Sequence, residues 1–130
     1  MKIAITSSGP TLDSQVDPRF GRAQYLLVVS TEALDVDAVE NPNVAAGGGA
    51  GVQTAQMVIS RGAEAVLTGN CGPNAFRTLG AAGVKVYAGV SGTVRAAVEE
   101  FMRGELRHLS GPSVSGHFGT GQGSREAAGE

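Results

Sequence analysis

The sequence predicts an α/β protein with a five-stranded mixed sheet flanked by helices. Two patterns carry this prediction. In the second half of the chain, short apolar runs alternate with helical patterns, and each helical pattern ends at a glycine, the residue that most readily ends a helix. The first half instead holds three strand-like runs, the last two joined by a short connection, which predicts an antiparallel meander. The predicted element order is βββαβαβα.

The first half of the chain supplies three predicted strands. Lys2–Thr6 and Tyr25–Val29 are apolar runs, and the segment between them, Ser7–Arg22, is long and contains proline and glycine. So long a loop in a small domain is more often functional than idle. The third strand, Ala33–Glu40, alternates apolar and polar residues, which is typical of an edge strand with one solvated face.

The central unit is predicted over Ala63–Ala88 as strand, turn, helix and strand. Ala65–Thr68 shows no alternation, as expected of a strand that is buried on both faces. Pro73 suits the first turn of the helix and Gly83 is placed to end it, before a second strand over Val84–Ala88. The two strands should be parallel with a right-handed crossover.

Two further helices are predicted beside this unit. One follows the glycine-rich loop Asn41–Gly51 and ends at Arg61–Gly62. The other follows Ser91 and Thr93, either of which has a hydroxyl suited to cap a helix amino terminus, and ends at Gly104. With helices on both faces of the sheet, the chain has enough elements for one buried core.

Length and composition narrow the class of protein. The 130 residues predict one domain over 1–109 and a flexible, glycine-rich tail over 110–130. A net charge of −2 gives no indication of a basic surface for nucleic acid, so we expect no nucleic-acid partner. A single cysteine excludes an internal disulfide and a tetrathiolate metal site within one chain. There is no apolar run of membrane-spanning length and the sequence starts directly in a strand pattern, so we expect no membrane association and a cytoplasmic protein.

The turn Gly69–Pro73 is the first candidate site, because ligands of open α/β sheets bind at the carboxyl ends of strands. It holds the only cysteine, Cys71, at a predicted helix amino terminus, which would lower the pKa of the thiol and favour a thiolate that binds iron. The alternative is a small residue that fits a tight turn. One thiolate does not hold a cluster, so a second chain, added sulfide or His117 would complete the coordination.

Two other site classes fit less well. Gly47–Gly51 resembles a phosphate cradle, but it matches neither the Walker pattern nor a complete dinucleotide fingerprint, which favours a flexible active-site loop over a nucleotide site. Asp13 and Asp17 would suit a metal-dependent nuclease, yet such enzymes need several carboxylates that converge from strands, and the predicted central strands have none. We therefore predict no catalysis.

Several motifs resemble one known family. The segments that carry the resemblance are Met1–Thr6, Val16–Ala23, Gly49–Gly51 with the following helix, Thr68–Phe76, Gly92–Val94 with the last helix, and Gly111–Pro112 to His117–Gly119. The chain resembles the dinitrogenase iron–molybdenum cofactor biosynthesis family, which includes NifX and the carboxyl-terminal domain of NifB. The resemblance implies a ribonuclease H-like fold and the binding of an iron–sulfur or iron–molybdenum type cluster, or its precursor, for transfer.

The predicted turn and the resemblance together give a set of site residues. The cofactor-binding candidates are Arg19, Phe20, Gly21, Arg22, Gly49, Gly51, Gly69, Asn70, Cys71, Gly72 and Asn74, and the candidate metal ligands are Cys71 and His117. Family members often carry histidine where this chain has Arg19, and a guanidinium has no lone pair to give to a metal. Arg19 and Arg22 would instead hold an anionic cluster by charge. For His117, the alternative is a solvated histidine of the tail.

The sequence thus supports two hypotheses of different classes. The first is a non-catalytic carrier of a metal cluster, with cluster-assembly or acceptor proteins as partners. The second is a small-anion or nucleotide-binding regulator, or an interaction domain of a metal-assembly complex, without bound metal. We expect a monomer, while a cluster that bridges two Cys71 thiolates would require a dimer.

Overall fold

A computed structural model describes residues 1–33, 35–42, 49–109 and 111 of the chain. Its strands are β1 (Lys2–Ser7), β2 (Tyr25–Ser30), β3 (Val36–Glu40), β4 (Ala65–Leu67) and β5 (Lys85–Tyr87). Its helices are α1 (Ala50–Ser60), α2 (Pro73–Ala81) and α3 (Val94–Met102), and a 3₁₀ turn spans Phe20–Arg22. The predicted α/β class, the mixed five-stranded sheet and the three helices are confirmed.

The sheet has β1 at its centre, in the order β3-β2-β1-β4-β5. β1 pairs antiparallel with β2 and parallel with β4, so that Ile5 lies opposite both Leu27 and Leu67. β2 and β3 are antiparallel, whereas β4 and β5 are parallel. The carboxyl ends of β1 and β4 therefore lie side by side, which brings the loop after β1 next to the turn after β4.

Apolar clusters cover both faces of the sheet. One cluster joins Val58 of α1 and Leu79 of α2 to sheet residues such as Val66. The other joins Val94 and Val98 of α3 to the opposite face. Alternate strand residues point to opposite faces, and both faces of the central strands are covered, which explains the continuous apolar runs of β1 and β4.

Three strands are shorter than predicted, whereas β1 and β2 each extend one residue further, to Ser7 and Ser30. The third strand begins at Val36 and not at Ala33, because the chain is still completing a turn there, closed by a hydrogen bond from the Ser30 N–H to the Asp35 carbonyl at 3.0 Å. β4 ends at Leu67, although the next N–H, that of Thr68, still donates to β5. β5 is shorter by one residue at each end than predicted.

The predicted helix ends are confirmed by the backbone. Gly62, Gly83 and Gly104 have φ angles of 77°, 80° and 73°, in the left-handed region that ends a helix. At the amino end of α3, Thr93 is the capping residue, because its Oγ1 accepts a hydrogen bond from the Ala96 N–H at 3.1 Å. These local signals fix where the helices start and stop.

The segment after α3 returns to the sheet and follows the outer edge of β5. The Leu109 N–H donates to the Val86 carbonyl at 2.6 Å, and His108 pairs with Tyr87 in an antiparallel bridge. The His108 ring also lies edge-on to the Tyr87 ring, with centroids 6.0 Å apart. One edge of the sheet is thus covered by the chain itself.

Some predicted features lie outside the described residues. They are Gly47, Gly48, His117 and, apart from residue 111, the tail over 110–130. In the part of the chain that the structure describes, no helix has both the length and the apolar character needed to cross a membrane.

Candidate functional site

A pocket of about 420 Å³ opens where the loop after β1 meets the turn after β4. This volume lies within the range of roughly 300–1,000 Å³ that is usual for ligand sites. The described residues that line it are Arg19, Phe20, Gly21, Arg22, Gly49, Gly51, Val52, Asn70, Gly72, Pro73, Asn74 and Ala75. It lies at the carboxyl side of the parallel strands, where the sequence predicts the site.

Backbone hydrogen bonds hold the two loops together. The Asn70 N–H donates to the Pro18 carbonyl at 2.8 Å, and the Phe20 N–H donates to the Asn70 carbonyl at 3.3 Å. The two backbones approach so closely at Gly69 that a Cβ atom there would lie 2.5 Å from the Pro18 Cα. The role of Gly69 is therefore to permit this contact, and it does not line the pocket.

Glycines also allow the 3₁₀ turn and the two helix starts to pack closely. A Cβ atom on Gly21 would lie 2.8 Å from the Gly51 backbone nitrogen, and one on Gly51 would lie 3.4 Å from the Ala75 Cβ. The 3₁₀ turn, α1 and α2 thus meet with almost no side chain between them.

The amino termini of α1 and α2 both open into this pocket. Their N-cap residues are Gly49, with φ of 87°, and Gly72, and neither helix has a side-chain hydrogen bond at its cap. The first backbone N–H groups of a helix have no intrahelical acceptor and carry partial positive charge. By contrast, α3 has a side-chain cap and contributes no described residue to the pocket lining. The two helices that start at the pocket are thus the two without a side-chain hydrogen bond at the amino terminus.

The available donors at the two helix starts are backbone amides. In α1 they include the N–H groups of Gly51 and Val52, and in α2 those of Asn74 and Ala75, all in first turns and all from residues of the pocket lining. Pro73 has no N–H to offer. Two helix starts that converge in this way form a site suited to an anion.

Side chains at the rim add positive charge and further donors. Arg19 and Arg22 are exposed at the rim, and none of the described lining residues is acidic. Asn74 accepts a hydrogen bond at Oδ1 from Arg77 Nη2 at 2.8 Å, which leaves its NH₂ group as the donor end of the amide. Two positively charged guanidinium groups therefore stand at the rim of a chain whose net charge is −2.

Cys71 lies beneath the pocket and not in its wall. Its exposed fraction is 0%, and it packs in the apolar cluster with Phe20 and Leu79. Burial raises the pKa of the Cys71 thiol to about 11. The lowering of this pKa that the sequence predicts at a helix amino terminus is therefore not found: the pKa is raised, and the cause is the loss of water around the buried sulfur.

The pocket gathers most of the predicted site residues. Those in its wall are Arg19, Phe20, Gly21, Arg22, Gly49, Gly51, Asn70, Gly72 and Asn74. Gly69 and Cys71 lie behind the wall, and His117 is outside the described residues. Their assignment as cofactor or metal ligands stays a prediction.

Sequence reasoning places Pro73 in the candidate turn but leaves it, Val52 and Ala75 out of the predicted binding residues, although all three line the pocket. They lie in the first turns of α1 and α2, the two helices whose starts the sequence predicts. The helical periodicity, counted from each predicted start, would have identified them. Within the described residues, no group of three or more histidine, cysteine, aspartate or glutamate side chains is arranged to hold a metal ion.

Comparison with known proteins places the chain among relatives of similar fold. The orange protein of Desulfovibrio gigas, in its apo form, is 43% identical over 85% of this chain and 94% of that chain, with a TM-score of 0.83. A candidate NifB protein of Thermotoga is 44% identical over 83% and 92% of the two chains, with a TM-score of 0.73. An uncharacterized protein of Methanocaldococcus jannaschii is 26% identical over 82% of this chain and 89% of its own length.

The family profile gives the same result and covers the whole described sheet. The profile described as "Dinitrogenase iron-molybdenum cofactor" matches residues 1–104, which include the three described helices and every described lining residue of the pocket. The chain therefore belongs to the dinitrogenase iron–molybdenum cofactor family.

Proposed function

We propose that the chain is a small, non-catalytic carrier that binds an anionic iron–sulfur or iron–molybdenum type cluster, or its precursor, in the pocket. One observation carries the proposal: two helix amino termini without side-chain caps open into one pocket, and Arg19 and Arg22 stand at its rim. Helix starts and guanidinium groups are the usual elements of anion sites, and together they match a multiply charged ligand better than a neutral one.

The lining favours a cluster that arrives with its coordination complete. Among the described lining residues there is no thiolate, imidazole or carboxylate, so the contacts on offer are N–H donors and apolar surface. Sulfide or other terminal atoms of a cluster would accept hydrogen bonds from the Gly51 and Asn74 backbone amides. Release to an acceptor would then break no metal–protein bond, which suits a carrier.

Direct ligation remains a separate part of the proposal. Cys71 would bind a metal only if its thiol left the apolar cluster and lost its proton. Its packing in the cluster opposes the first step, and its raised pKa of about 11 opposes the second. His117 would bind only if it reached the pocket from outside the described residues. We therefore assign the larger share of binding to the amides and the arginines.

Membership of the family supports this proposal at a coarser level, since its description refers to the iron–molybdenum cofactor. The remaining expectations form part of the proposal: a ribonuclease H-like fold, a cytoplasmic location, a monomeric state without nucleic-acid or membrane partners, and cluster-assembly or acceptor proteins as partners. The burial of Cys71 supports the monomer, because a cluster could bridge two chains through this residue only if its thiol were exposed.

The test is anaerobic binding of two probes followed by visible absorbance and metal per chain. The probes are ferrous iron with sulfide, and tetrathiomolybdate, a preformed molybdenum–sulfur dianion. We expect the wild-type chain and Cys71→Ala to bind alike, and Arg19→Gln with Arg22→Gln to lose roughly tenfold in affinity, ~1.4 kcal/mol. Arg61→Gln with Arg95→Gln is the control, because it removes the same two charges from exposed ion pairs, with Asp37 and Asp13, away from the pocket.

The outcomes separate the two modes of binding. Loss of bound iron in Cys71→Ala alone would establish a thiolate-ligated cluster and would contradict the amide-and-arginine mode. Equal weakening by the Arg61 and Arg95 control and by the pocket arginines would mean that net charge, and not the pocket, holds the probe. Absence of binding by the wild-type chain for both probes would remove the cluster carrier as its function.

The second candidate is a small-anion-binding regulator without metal. It is favoured by the same lining, because amides and guanidinium groups serve an oxyanion or phosphate as well as a cluster. If inorganic phosphate or a nucleotide raises the melting temperature of the metal-free chain, and the two pocket arginines are required for that rise, this candidate takes precedence.

A further inference from the structure

One charged side chain next to the pocket is buried and has a defined partner. Asp17 is 5% exposed and does not line the pocket, whereas Arg19, two residues later, does. Asp17 Oδ1 accepts hydrogen bonds from the Arg19 N–H at 2.9 Å and from Arg19 Nε at 3.3 Å, and Oδ2 accepts one from Arg19 Nη2 at 3.4 Å. A buried carboxylate thus faces both the backbone and the guanidinium of a rim residue.

We propose, as a deepening of the carrier function and resting on it, that Asp17 is a positioning residue for ligand binding. It fixes the Arg19 guanidinium in one orientation at the pocket rim. A guanidinium has five N–H donors, and Asp17 engages the Nε donor and one donor of Nη2, so three remain for a ligand. The remaining N–H donors of Arg19 are therefore already oriented before an anion binds.

The backbone beneath Asp17 is itself anchored to the sheet. The Asp17 N–H donates to the Thr6 carbonyl at 2.9 Å, and Thr6 Oγ1 donates to the Asp17 carbonyl at 2.7 Å. Thr6 Oγ1 also lies 2.8 Å from Thr68 Oγ1, so the two hydroxyls are hydrogen-bonded to each other. Both threonines are fully buried, at the ends of β1 and β4. The position of Asp17, and through it that of Arg19, is thus set by the two central strands.

The pairing also determines what Arg19 contributes. The opposite charges of Asp17 and Arg19 largely cancel at a distance, while the remaining N–H donors still act at short range. The two guanidinium contacts, at 3.3 and 3.4 Å, are longer than the roughly 2.7–2.9 Å of strong charge-assisted hydrogen bonds. The shorter bond goes from the Arg19 backbone N–H to Asp17 Oδ1, so the carboxylate holds the Arg19 backbone while it orients the guanidinium.

A matched pair of variants isolates this role. Asp17→Asn and Asp17→Ser remove the same charge, and each retains a side-chain oxygen that can accept from the Arg19 N–H. Only the asparagine is long enough to accept from Arg19 Nε as well. We expect tetrathiomolybdate to bind Asp17→Asn about fivefold more tightly than Asp17→Ser. In an Arg19→Gln background we expect this ratio to fall to about one, because the group that Asp17 positions is absent.

Either of two results would overturn the proposal. Equal affinities of the two variants in the presence of Arg19 would mean that orientation of the guanidinium does not matter for binding. An unchanged fivefold ratio in the Arg19→Gln background would mean that Asp17 acts on the loop and not through Arg19. Urea unfolding of each variant establishes that both are compared as folded proteins.

A second measurement needs no ligand and separates this inference from the carrier function. The Nε–H resonance of Arg19 in a proton–nitrogen NMR spectrum should be sharp and protected from exchange in the wild-type chain and in Asp17→Asn, and broad or lost in Asp17→Ser. The same signal in all three would refute the positioning role even if the probe binds. If the Arg19 Nε–H signal differs between Asp17→Asn and Asp17→Ser as expected but the wild-type chain binds no probe, the orientation of Arg19 by Asp17 is established. The carrier function, and with it the ligand-binding part of this proposal, would then be refuted.

Discussion

The buried Cys71 thiol yields a prediction whose size follows from its pKa. Burial raises this pKa from 9.0 to about 11, a difference of two units. At pH 8 the thiolate fraction is then about a hundredfold smaller than that of an ordinary cysteine. Because the thiolate is the reactive form, alkylation of the folded chain by iodoacetamide at pH 8 should be slower by at least this factor than alkylation of the urea-unfolded chain.

The same shift makes stability depend on pH. The folded-state pKa is raised, so the contribution of the protonated thiol is fully present below about pH 9 and is lost as pH rises from 9 to 11. Two pKa units correspond to roughly 3 kcal/mol at most. We expect the free energy of unfolding of the wild-type chain to fall relative to Cys71→Ala by up to this amount over that interval, measured by urea unfolding.

One result would refute this reasoning about Cys71. If alkylation of the folded chain follows a titration with its midpoint at or below pH 9, and the two proteins lose stability in parallel from pH 9 to 11, the thiol is not held in the apolar cluster. The sulfur would then be available at the pocket, and thiolate ligation of a cluster would regain its support.

Three further predictions concern backbone packing and capping. Gly21→Ala should lower the free energy of unfolding by about 1–3 kcal/mol, because the added Cβ would lie 2.8 Å from the Gly51 nitrogen. Its control is Gly80→Ala in α2, where the added Cβ would meet no other atom within 4 Å. That substitution should raise the free energy of unfolding by about 0.5–1 kcal/mol. Gly69→Ala should cost at least as much as Gly21→Ala and should also abolish binding of tetrathiomolybdate, because it separates the two loops at the pocket. Thr93→Ala should cost about 1 kcal/mol through loss of the α3 cap and should leave probe binding unchanged. Urea unfolding and probe titration check all three, and a loss of binding in Thr93→Ala would contradict the separation of cap and pocket.

The location of the site could be predicted from sequence because it depends on backbone signals. The strand that ends before Gly69, the helix that starts at Pro73 and the glycine loop before Val52 put two helix starts beside one strand end. Local residue preferences specify each of these features. The same preferences gave the left-handed glycines at the helix ends, including Gly83.

The direction of individual side chains could not be predicted in the same way. Nothing in the local pattern says whether Cys71 points into the pocket or into the core, because that depends on its packing against residues far away in sequence, such as Phe20. The close contact of Gly69 with Pro18 and the burial of Asp17 beside Arg19 likewise arise only when the loop after β1 reaches the end of β4. Such contacts link distant segments, and a single sequence carries no local sign of them.

The strand-like segment after α3 has a consequence for solubility. Exposed strand edges offer unpaired N–H and carbonyl groups to other chains and are sites of aggregation. His108 and Leu109 occupy the outer edge of β5, yet both follow residue 104, where the family match ends. A chain cut at that residue would keep every described lining residue of the pocket and lose this edge cover. We therefore expect the shortened chain to self-associate more readily than the whole chain.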